Sequence, residues 1–316
     1  MDILPFISKY IPKKLDDIVG NENNIAYIKK YIQNNYYNNI IITGPCGTGK
    51  TTTANCFIHD YKINDNDLLV LNMSDIRGID IVNNKISSFL DKKTTKNNIL
   101  TLILDEIDNL TIRAQYSIRE LMEKYNHKAR FIFICSSTTN IIENLQSKCT
   151  ILSYKKQSHQ DLIYFLSVIC KKENLFPTDC GLDALAFISN GDIRIALNYL
   201  QEISIIYKSF NKDHVYEICD YPPPVTITAI LKHCENNNIP EIIKSVDQLY
   251  SDGYSFYDLI QILFKILKKY PINEEKKLIM IKELGYGHVR NASGTHSNLQ
   301  ILRVFILFAK ILNSGK

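Results

Sequence analysis

The stretch IIITGPCGTGKTTTANCF, residues 40–57, determines the fold class of this chain. A β-branched run leads into a glycine-rich loop, residues 44–51, that matches the pattern G-x-x-x-x-G-K-[ST], and a helical run follows. Glycines let the backbone N–H groups of such a loop converge on phosphate oxygens, and the N-terminus of the next helix points its positive end at them. The strand before the loop and the helix after it favour a nucleoside triphosphate site over a chance glycine-rich turn.

The residues of this loop have separate predicted roles. Lys50 is expected to reach the β- and γ-phosphates of ATP, and the Thr51 hydroxyl is expected to ligate Mg²⁺. The predicted contacts with ATP within the loop and the start of the helix are Gly44, Pro45, Cys46, Gly47, Thr48, Gly49, Lys50, Thr51 and Thr52.

A second motif, TLILDEIDNL at residues 101–110, is an apolar strand that ends in two acids. Asp105 is predicted to hold Mg²⁺ through water, and Glu106 to polarise the attacking water molecule. Asp108 has the same charge, but capping the following turn is an alternative role for it. A water-activating glutamate favours hydrolysis that drives conformational change over a small-molecule kinase, in which the acceptor substrate is the nucleophile.

The segment FISNGDIRIALNYLQ, residues 187–201, contains a further candidate. Arg194 is predicted to open a helix after a Gly-Asp turn, where a cation can touch the γ-phosphate and communicate its presence to a helical lid. The alternative is a surface arginine on an amphipathic helix.

The apolar pattern divides the chain. From residue 39 to about 152, four short apolar strands alternate with helical stretches: NIIIT, LLVLNMS, ILTLILDE and ARFIFICSS. This alternation predicts an α/β domain with a parallel sheet and crossover helices. Only helical periodicity follows: a three-helix unit, a break at YPPP (221–224), and an all-helical C-terminal part. The predicted domains are residues 1–152 for nucleotide binding and two helical modules, residues 153–220 and residues 221–316.

Composition excludes several other classes of protein. The 316 residues are 45% hydrophobic and 22% charged, and the longest apolar runs are far shorter than the roughly 18 residues of a membrane span. An acid at position 2 and the lack of an apolar signal core predict a protein that is not secreted. The eight cysteines form no C-x-x-C pair, so we expect reduced thiols, with neither a zinc site nor disulfides. A net charge of +4 is compatible with a phosphate-backbone partner.

The chain also resembles a known family, the small subunits of replication factor C, which is the sliding-clamp loader of eukaryotes and archaea and belongs to the AAA+ ATPases. Each matching stretch is weak alone, but six of them in the right order are specific. The stretches are SKYIPKKLDDIVGNE (8–22), NMSDIRGID (72–80), LDEIDNLTIRAQYSIRELME (104–123), NIIENLQSKC (140–149), SNGDIRIALNYLQ (189–201) and IKELGYGHVRNASGTHSNLQ (281–300).

The resemblance implies an AAA+ domain, a lid, and a collar through which subunits form a hetero-pentameric ring. It also implies that ATP binding closes the ring around primer–template DNA while the ring holds the sliding clamp open, and that hydrolysis releases the clamp. The resemblance also implies that Tyr10, Pro12 and Val19 line the adenine pocket, and a plain packing role is the alternative for them. The implied location is the nucleus of a cellular eukaryote, or the host-cell replication site if the chain is viral.

The resemblance assigns further residues. Arg77, Arg113 and Arg119 are candidates for contacts with DNA, although a solvated helix charge is the alternative for each. Phe89 and Leu90 are candidates for gripping the clamp, with core packing as the favoured alternative.

Two departures from the family pattern bear on hydrolysis. Ser136 stands where the family has a sensor asparagine, and Lys148 stands where an arginine reaches the γ-phosphate of the neighbouring subunit. Two other functions therefore remain open: an ATP-binding structural ring member that hydrolyses poorly, and another AAA+ DNA-remodelling ATPase.

Overall fold

The computed structural model describes residues 4–34, 36–75, 79–92, 99–294 and 297–314, and for residues 79–83 it describes only the helical backbone. The chain separates into two compact units, Met1–Val215 and Tyr216–Lys316. None of the helices within the described ranges is long and apolar enough to cross a membrane.

A parallel sheet lies at the centre of the first unit. In the described part of the chain its strands are β1 (Ile40–Thr43), β2 (Leu68–Asn72), β3 (Leu100–Asp105), β4 (Ala129–Cys135) and β5 (Thr150–Ser153). Their order across the sheet is β2-β3-β4-β1-β5, and each neighbouring pair is parallel. The α/β fold with a parallel sheet is confirmed.

Strand β5 was missed by the sequence pattern, which predicts four strands in this region. It pairs with β1 alone at the sheet edge, and it includes only one buried residue, Leu152. This strand of four residues with mixed burial has no continuous apolar run, and such a run was the signal that identified the other four strands.

Helices cover both faces of the sheet in the first unit. The helices described there are α1 (Phe6–Lys9), α2 (Glu22–Gln33), α3 (Lys50–Tyr61), α4 (Ile79–Leu90), α5 (Ile112–Lys124), α6 (Glu143–Gln146), α7 (His159–Lys172), α8 (Asp179–Ser189) and α9 (Ile193–Ile206). Strand β6 (Phe176–Pro177) follows α7, strand β7 (Ser209–Phe210) follows α9, and the two form a short parallel pair.

Alternation along the inner strands separates the two faces. Ile40 and Ile42 of β1 pack in a cluster with residues of α2 and α3, whereas Ile41 packs in a cluster with residues of α4 and α5. Successive side chains of a strand point to opposite faces, so an unbroken apolar strand fills two cores at once.

Helices α7, α8 and α9 pack against one another and form the predicted three-helix lid. Their N-termini are capped by Ser158, Thr178 and Asp192, whose side chains accept hydrogen bonds from backbone N–H groups of the first turn. Such caps stabilise a helix by about 1 kcal/mol each.

Every secondary-structure element described in the second unit is a helix. After α10 (Lys212–Ile218), which spans the boundary between the units, its helices are α11 (Pro224–Glu235), α12 (Ile239–Ser251), α13 (Phe256–Lys269), α14 (Glu274–Ala292) and α15 (Asn298–Asn313). The last proline of YPPP, Pro224, is the first residue of α11. Proline is tolerated in the first turn of a helix, so the break and the helix start coincide. The compact units meet at residues 215/216, and the predicted domain limits at 152/153 and 220/221 stay predictions.

The apolar helix α15 lies in the core of the second unit, where Phe308 is fully buried and Leu299 is 70% exposed. We expect Phe308→Ala to lower the free energy of unfolding of this unit by about 3–5 kcal/mol, because it removes buried apolar atoms and leaves a cavity. Leu299→Ala, on the same helix, is the matched control and should change it by less than about 0.5 kcal/mol. Urea unfolding followed by far-UV circular dichroism measures both, and equal midpoints for the two variants would contradict this core assignment.

Candidate nucleotide-binding site

The glycine-rich loop connects β1 to α3, and its three glycines, Gly44, Gly47 and Gly49, have backbone conformations that other residues rarely adopt. Gly47 has φ +69° and Gly49 has φ +89°. A Cβ atom on Gly47 would also lie 1.8 Å from the Asp192 Oδ1 atom, whereas a Cβ atom on Gly49 would meet nothing within 4 Å. The loop therefore requires glycine at position 47 for two reasons, backbone conformation and the closeness of the lid.

Lys50 is the first residue of α3, and its ammonium group folds back over the loop. Its Nζ atom donates hydrogen bonds to the carbonyl oxygens of Gly44 at 2.6 Å and Pro45 at 2.7 Å. Burial lowers the pKa of Lys50, and the nearby charge of Arg194 acts in the same direction. The lysine is thus a partly desolvated cation, the type of group that binds phosphate strongly.

Thr51 connects the loop to the end of β3. Its hydroxyl donates a hydrogen bond to Oδ2 of Asp105 at 2.9 Å. A hydroxyl and a carboxylate are the hard oxygen ligands that Mg²⁺ prefers in proteins, so this pair fits a magnesium ion beside the phosphates.

Glu106 follows β3 in a strained conformation, with φ +57° and ψ +42°. Its carboxylate is on the exposed side of the loop and accepts a hydrogen bond from the Asn109 side-chain amide at 3.1 Å. Non-glycine residues with positive φ cost of order 1–3 kcal/mol and are enriched at functional sites. Asp105 still has the extended conformation of β3, whereas the backbone turns at Glu106, the next residue.

Ser136 comes directly after β4, and its backbone N–H donates to Oδ2 of Asp108 at 3.0 Å. Asp108 therefore ties the loop after β3 to the loop after β4. The sequence left open whether Asp108 belongs to the site or caps a turn. Its contact with Ser136 in another loop is a third role, which the sequence analysis did not consider.

An apolar cavity of about 430 Å³ adjoins the glycine-rich loop. Its lining combines the predicted base-pocket residues Tyr10, Pro12 and Val19 with loop and helix residues that include Gly47, Gly49, Thr51 and Thr52, and with Arg194 of the lid. Further lining residues that sequence analysis missed are Ile7, Ile11, Ile18, Asn55, Phe165, Ile193 and Leu197. Most of these are ordinary apolar side chains of helices and loops, so no local signal separates them from core residues. The lining fits an aromatic base at one end and phosphates at the other.

The start of lid helix α9 contacts the glycine-rich loop directly. The backbone N–H of Ile193 donates to the Gly47 carbonyl oxygen at 3.2 Å. The carboxylate of Asp192 caps α9 by accepting hydrogen bonds from the N–H groups of Arg194 and Ile195. Sequence analysis missed Asp192 as a site residue, although an aspartate before a helical run is a recognisable cap signal.

Comparison with known proteins identifies the family. Residues 36–152 match the model of an AAA domain, and residues 222–306 match the model of the Replication factor C C-terminal domain. Replication factor C subunit 4 of Saccharomyces cerevisiae is 36% identical over 319 residues, which cover 99% of this chain and 98% of that protein. The chain belongs to the replication factor C small-subunit family. The replication factor C small subunit of Archaeoglobus fulgidus is also similar, at 33% identity over 94% of each chain.

A solved structure confirms the AAA+ fold at lower sequence similarity. The RuvB Holliday junction branch migration motor of Thermotoga maritima aligns with a TM-score of 0.58 at 17% identity, over 80% of this chain and 90% of that one. At that identity the likeness shows the fold alone, whereas the replication factor C relatives show the family.

Lys148, which the resemblance predicts to act on the neighbouring subunit, does not line the cavity beside the glycine-rich loop. It lines a separate cavity of about 420 Å³, and its Nζ atom is 3.2 Å from Oε1 of Glu123. The guanidinium of Arg119 is 3.5 Å from the other oxygen of Glu123. One carboxylate thus contacts the side chains of both cations.

The other residues that were predicted to contact DNA or the clamp lie partly on the surface and partly in the core. Arg113 is exposed near the start of α5, and Arg77 lies outside the described residues. Phe89 and Leu90 are buried, at 4% and 0% exposure, in the core cluster between the sheet and helices α4 and α5. The favoured alternative, core packing, is therefore confirmed, and the hypothesis that these two side chains grip the clamp is wrong, because packing against the sheet covers both.

Gly47→Ala should displace the lid from the loop, since the added Cβ collides with Asp192 and overpacking of this kind costs typically 1–3 kcal/mol. We expect hydrogen exchange of the Ile193 amide in the nucleotide-free protein to become about tenfold faster or more. Gly49→Ala is the matched control, because it has the same positive φ with open space around the new methyl group. Equal exchange of Ile193 in the two variants would show that backbone strain, and not the contact with Asp192, limits position 47.

Proposed function

We propose that this chain is an ATP-hydrolysing subunit of a sliding-clamp loader, which uses ATP binding and hydrolysis to open the clamp and to load it on primer–template DNA in replication and repair. The observation that carries this proposal is the hydrogen bond of 2.9 Å between Thr51 and Asp105, which joins the phosphate loop to the acidic end of β3. Membership in the replication factor C family supplies the context in which such a site acts.

Each residue of the site has a role in this proposal. Lys50 binds the β- and γ-phosphates, and Thr51 and Asp105 hold Mg²⁺. When bound, Mg²⁺ would offset the negative charge of the phosphate oxygens. Glu106 orients a water molecule and accepts its proton at the carboxylate. Arg194 contacts the γ-phosphate from the lid, and Ser136 orients the same water with a shorter reach than asparagine.

The proposed partners follow from the family. The chain assembles with other clamp-loader subunits in a hetero-pentameric ring, which binds the sliding clamp and primer–template DNA. Arg113 and Arg119, with Arg77, are proposed to contact DNA phosphates without reading bases. The proposed location is the site of DNA replication, in the nucleus of a cellular eukaryote or at the host-cell replication site of a virus.

An ATP-binding ring member that hydrolyses slowly remains the second candidate function. Ser136 and Lys148 favour it. Serine has a shorter reach than the family's asparagine, and lysine lacks the planar fork with which arginine binds two phosphate oxygens. The complete phosphate loop and the Asp105–Glu106 pair favour hydrolysis. A different AAA+ DNA-remodelling ATPase is disfavoured by the match of the C-terminal residues to replication factor C.

The first test separates binding from hydrolysis. Lys50→Ala should weaken ATP binding by the purified chain about tenfold or more, since it removes a cation that contacts two phosphates. Glu106→Gln should keep the ATP affinity but lower turnover in the assembled ring on the order of 100-fold, which is the range for loss of a general base. Calorimetry and a phosphate-release assay measure these quantities.

The controls for this test are exposed residues of the same charge, Lys171→Ala in α7 and Glu22→Gln in α2, which should behave as wild type. Turnover by Glu106→Gln at the wild-type rate would remove Glu106 from the role of water activation.

The second test concerns Lys148 as a residue that acts on the neighbouring subunit. Lysine keeps the positive charge of an arginine finger but lacks its planar fork, which binds two phosphate oxygens at once. We expect Lys148→Arg to speed ATP turnover by the neighbour, and Lys148→Ala to slow it about tenfold or more while this subunit's own ATP affinity stays unchanged.

DNA- and clamp-stimulated ATPase of the ring measures this effect, with Lys155→Ala as a matched control at an exposed lysine. Unaltered turnover and clamp loading with Lys148→Ala would make Lys148 a bystander.

A further inference from the structure

The chain before the phosphate loop is attached to the lid on one side and to the core on the other. We call residues 4–12 the N-terminal segment. On the lid side, the Phe6 N–H donates to the side-chain oxygen of Gln201 in α9 at 2.8 Å. On the core side, the Pro12 carbonyl oxygen accepts from the Cys56 thiol of α3 at 3.2 Å. Tyr10 lies between these two attachments.

Glu173, directly after lid helix α7, makes the most heavily hydrogen-bonded contact with this segment. Its Oε1 atom accepts from the Tyr10 hydroxyl at 2.5 Å and from Nζ of Lys9 at 2.6 Å. The Glu173 side chain is only 18% exposed. Burial acts to raise the pKa of Glu173, but the two hydrogen bonds outweigh it and leave that pKa below its usual range, so the group is an anion at neutral pH.

The Tyr10 ring is held from several directions. Burial, followed by the hydrogen bond and the charge of Glu173, raises the pKa of Tyr10, so its hydroxyl remains a donor at neutral pH. The Phe6 ring contacts it edge-on at a centroid distance of 5.8 Å, and the ammonium of Lys172 lies 5.8 Å from its centroid. Charge-assisted hydrogen bonds to carboxylates are about twice as strong as neutral ones, so Glu173 is the dominant restraint on the hydroxyl end of the ring.

Tyr10 lines the nucleotide cavity, and Glu173 does not. We propose that Glu173 is a positioning residue for nucleoside binding, which holds the Tyr10 ring at the base end of the cavity and thereby connects the bound base to lid helix α7. This inference deepens the proposed function and rests on it, because it takes ATP as the ligand of the cavity.

The physical consequence is a division of the binding free energy. The phosphates contact the loop residues, which Glu173 does not touch, whereas the base depends on a ring whose orientation is fixed before binding. Without Glu173 the ring must be ordered when the base binds, at a cost of about 0.5–1.5 kcal/mol for one side chain, and its half-buried hydroxyl loses its acceptor. Together these costs correspond to about a tenfold loss of affinity for the base-containing ligand.

The experiment compares ATP with inorganic tripolyphosphate, which lacks base and ribose, by calorimetry on the full chain with Mg²⁺. We expect Glu173→Ala to raise the Kd of ATP about tenfold and to leave the Kd of tripolyphosphate unchanged. Glu173→Gln still offers an oxygen to the Tyr10 hydroxyl and should restore most of the ATP affinity. Glu202→Ala, at an exposed acid of lid helix α9, is the matched control and should bind as wild type.

A second variant keeps the test decisive if Glu173→Ala does not fold. Tyr10→Phe keeps the ring and removes the hydrogen bond, so it should weaken ATP binding selectively. Where both single variants fold, the double variant should bind ATP no more weakly than the weaker of the two, because both changes break one interaction.

The outcomes separate this proposal from the proposed function. If the wild-type chain binds no ATP, both are overturned. If it binds ATP and Glu173→Ala binds it equally well, only the positioning role is overturned. Equal weakening of ATP and tripolyphosphate would also overturn it, since that pattern indicates a general structural effect.

Discussion

The parallel arrangement of the sheet is the constraint on which the rest of this site depends. Because neighbouring strands run in the same direction, the carboxyl ends of β1, β3 and β4 meet at one edge. The phosphate loop follows β1, Ser136 follows β4, and the Asp105–Glu106 pair lies at the end of β3. The contacts from Thr51 to Asp105 and from Asp108 to Ser136 then join the three loops into one site.

The lid completes this site at two separated points. Near the phosphates, the start of α9 contacts the glycine-rich loop through Ile193, and Asp192 leaves no room for a side chain on Gly47. At the other end of the cavity, Tyr10 of the N-terminal segment donates a hydrogen bond to Glu173, which follows lid helix α7. A ligand that fills the cavity contacts both core and lid residues, so its binding free energy depends on the position of the lid.

The cation at position 148 belongs to a different surface. It lines a cavity separate from the subunit's own nucleotide cavity, and it shares the carboxylate of Glu123 with Arg119. Exposed ion pairs of this type contribute little to stability, so Glu123 does not prevent the lysine from exchanging partners. Lys148 and its partner Glu123 line this second cavity and not the one beside the glycine-rich loop, which is why the proposed role of Lys148 concerns the phosphate of another subunit.

The sequence by itself determined the class of fold, the four apolar strands β1 to β4, the three-helix unit that follows the sheet, and the local motifs at residues 44–51 and 105–106. These features follow from periodicity and from short-range spacing, which are visible along the chain. Only the tertiary structure decided the edge strand β5, the burial of Phe89, and the contacts that Asp192 and Glu173 make. Glu173 is 163 residues from Tyr10, and Asp192 is far from Gly47 in the chain, so their contacts arise from packing that no local pattern records.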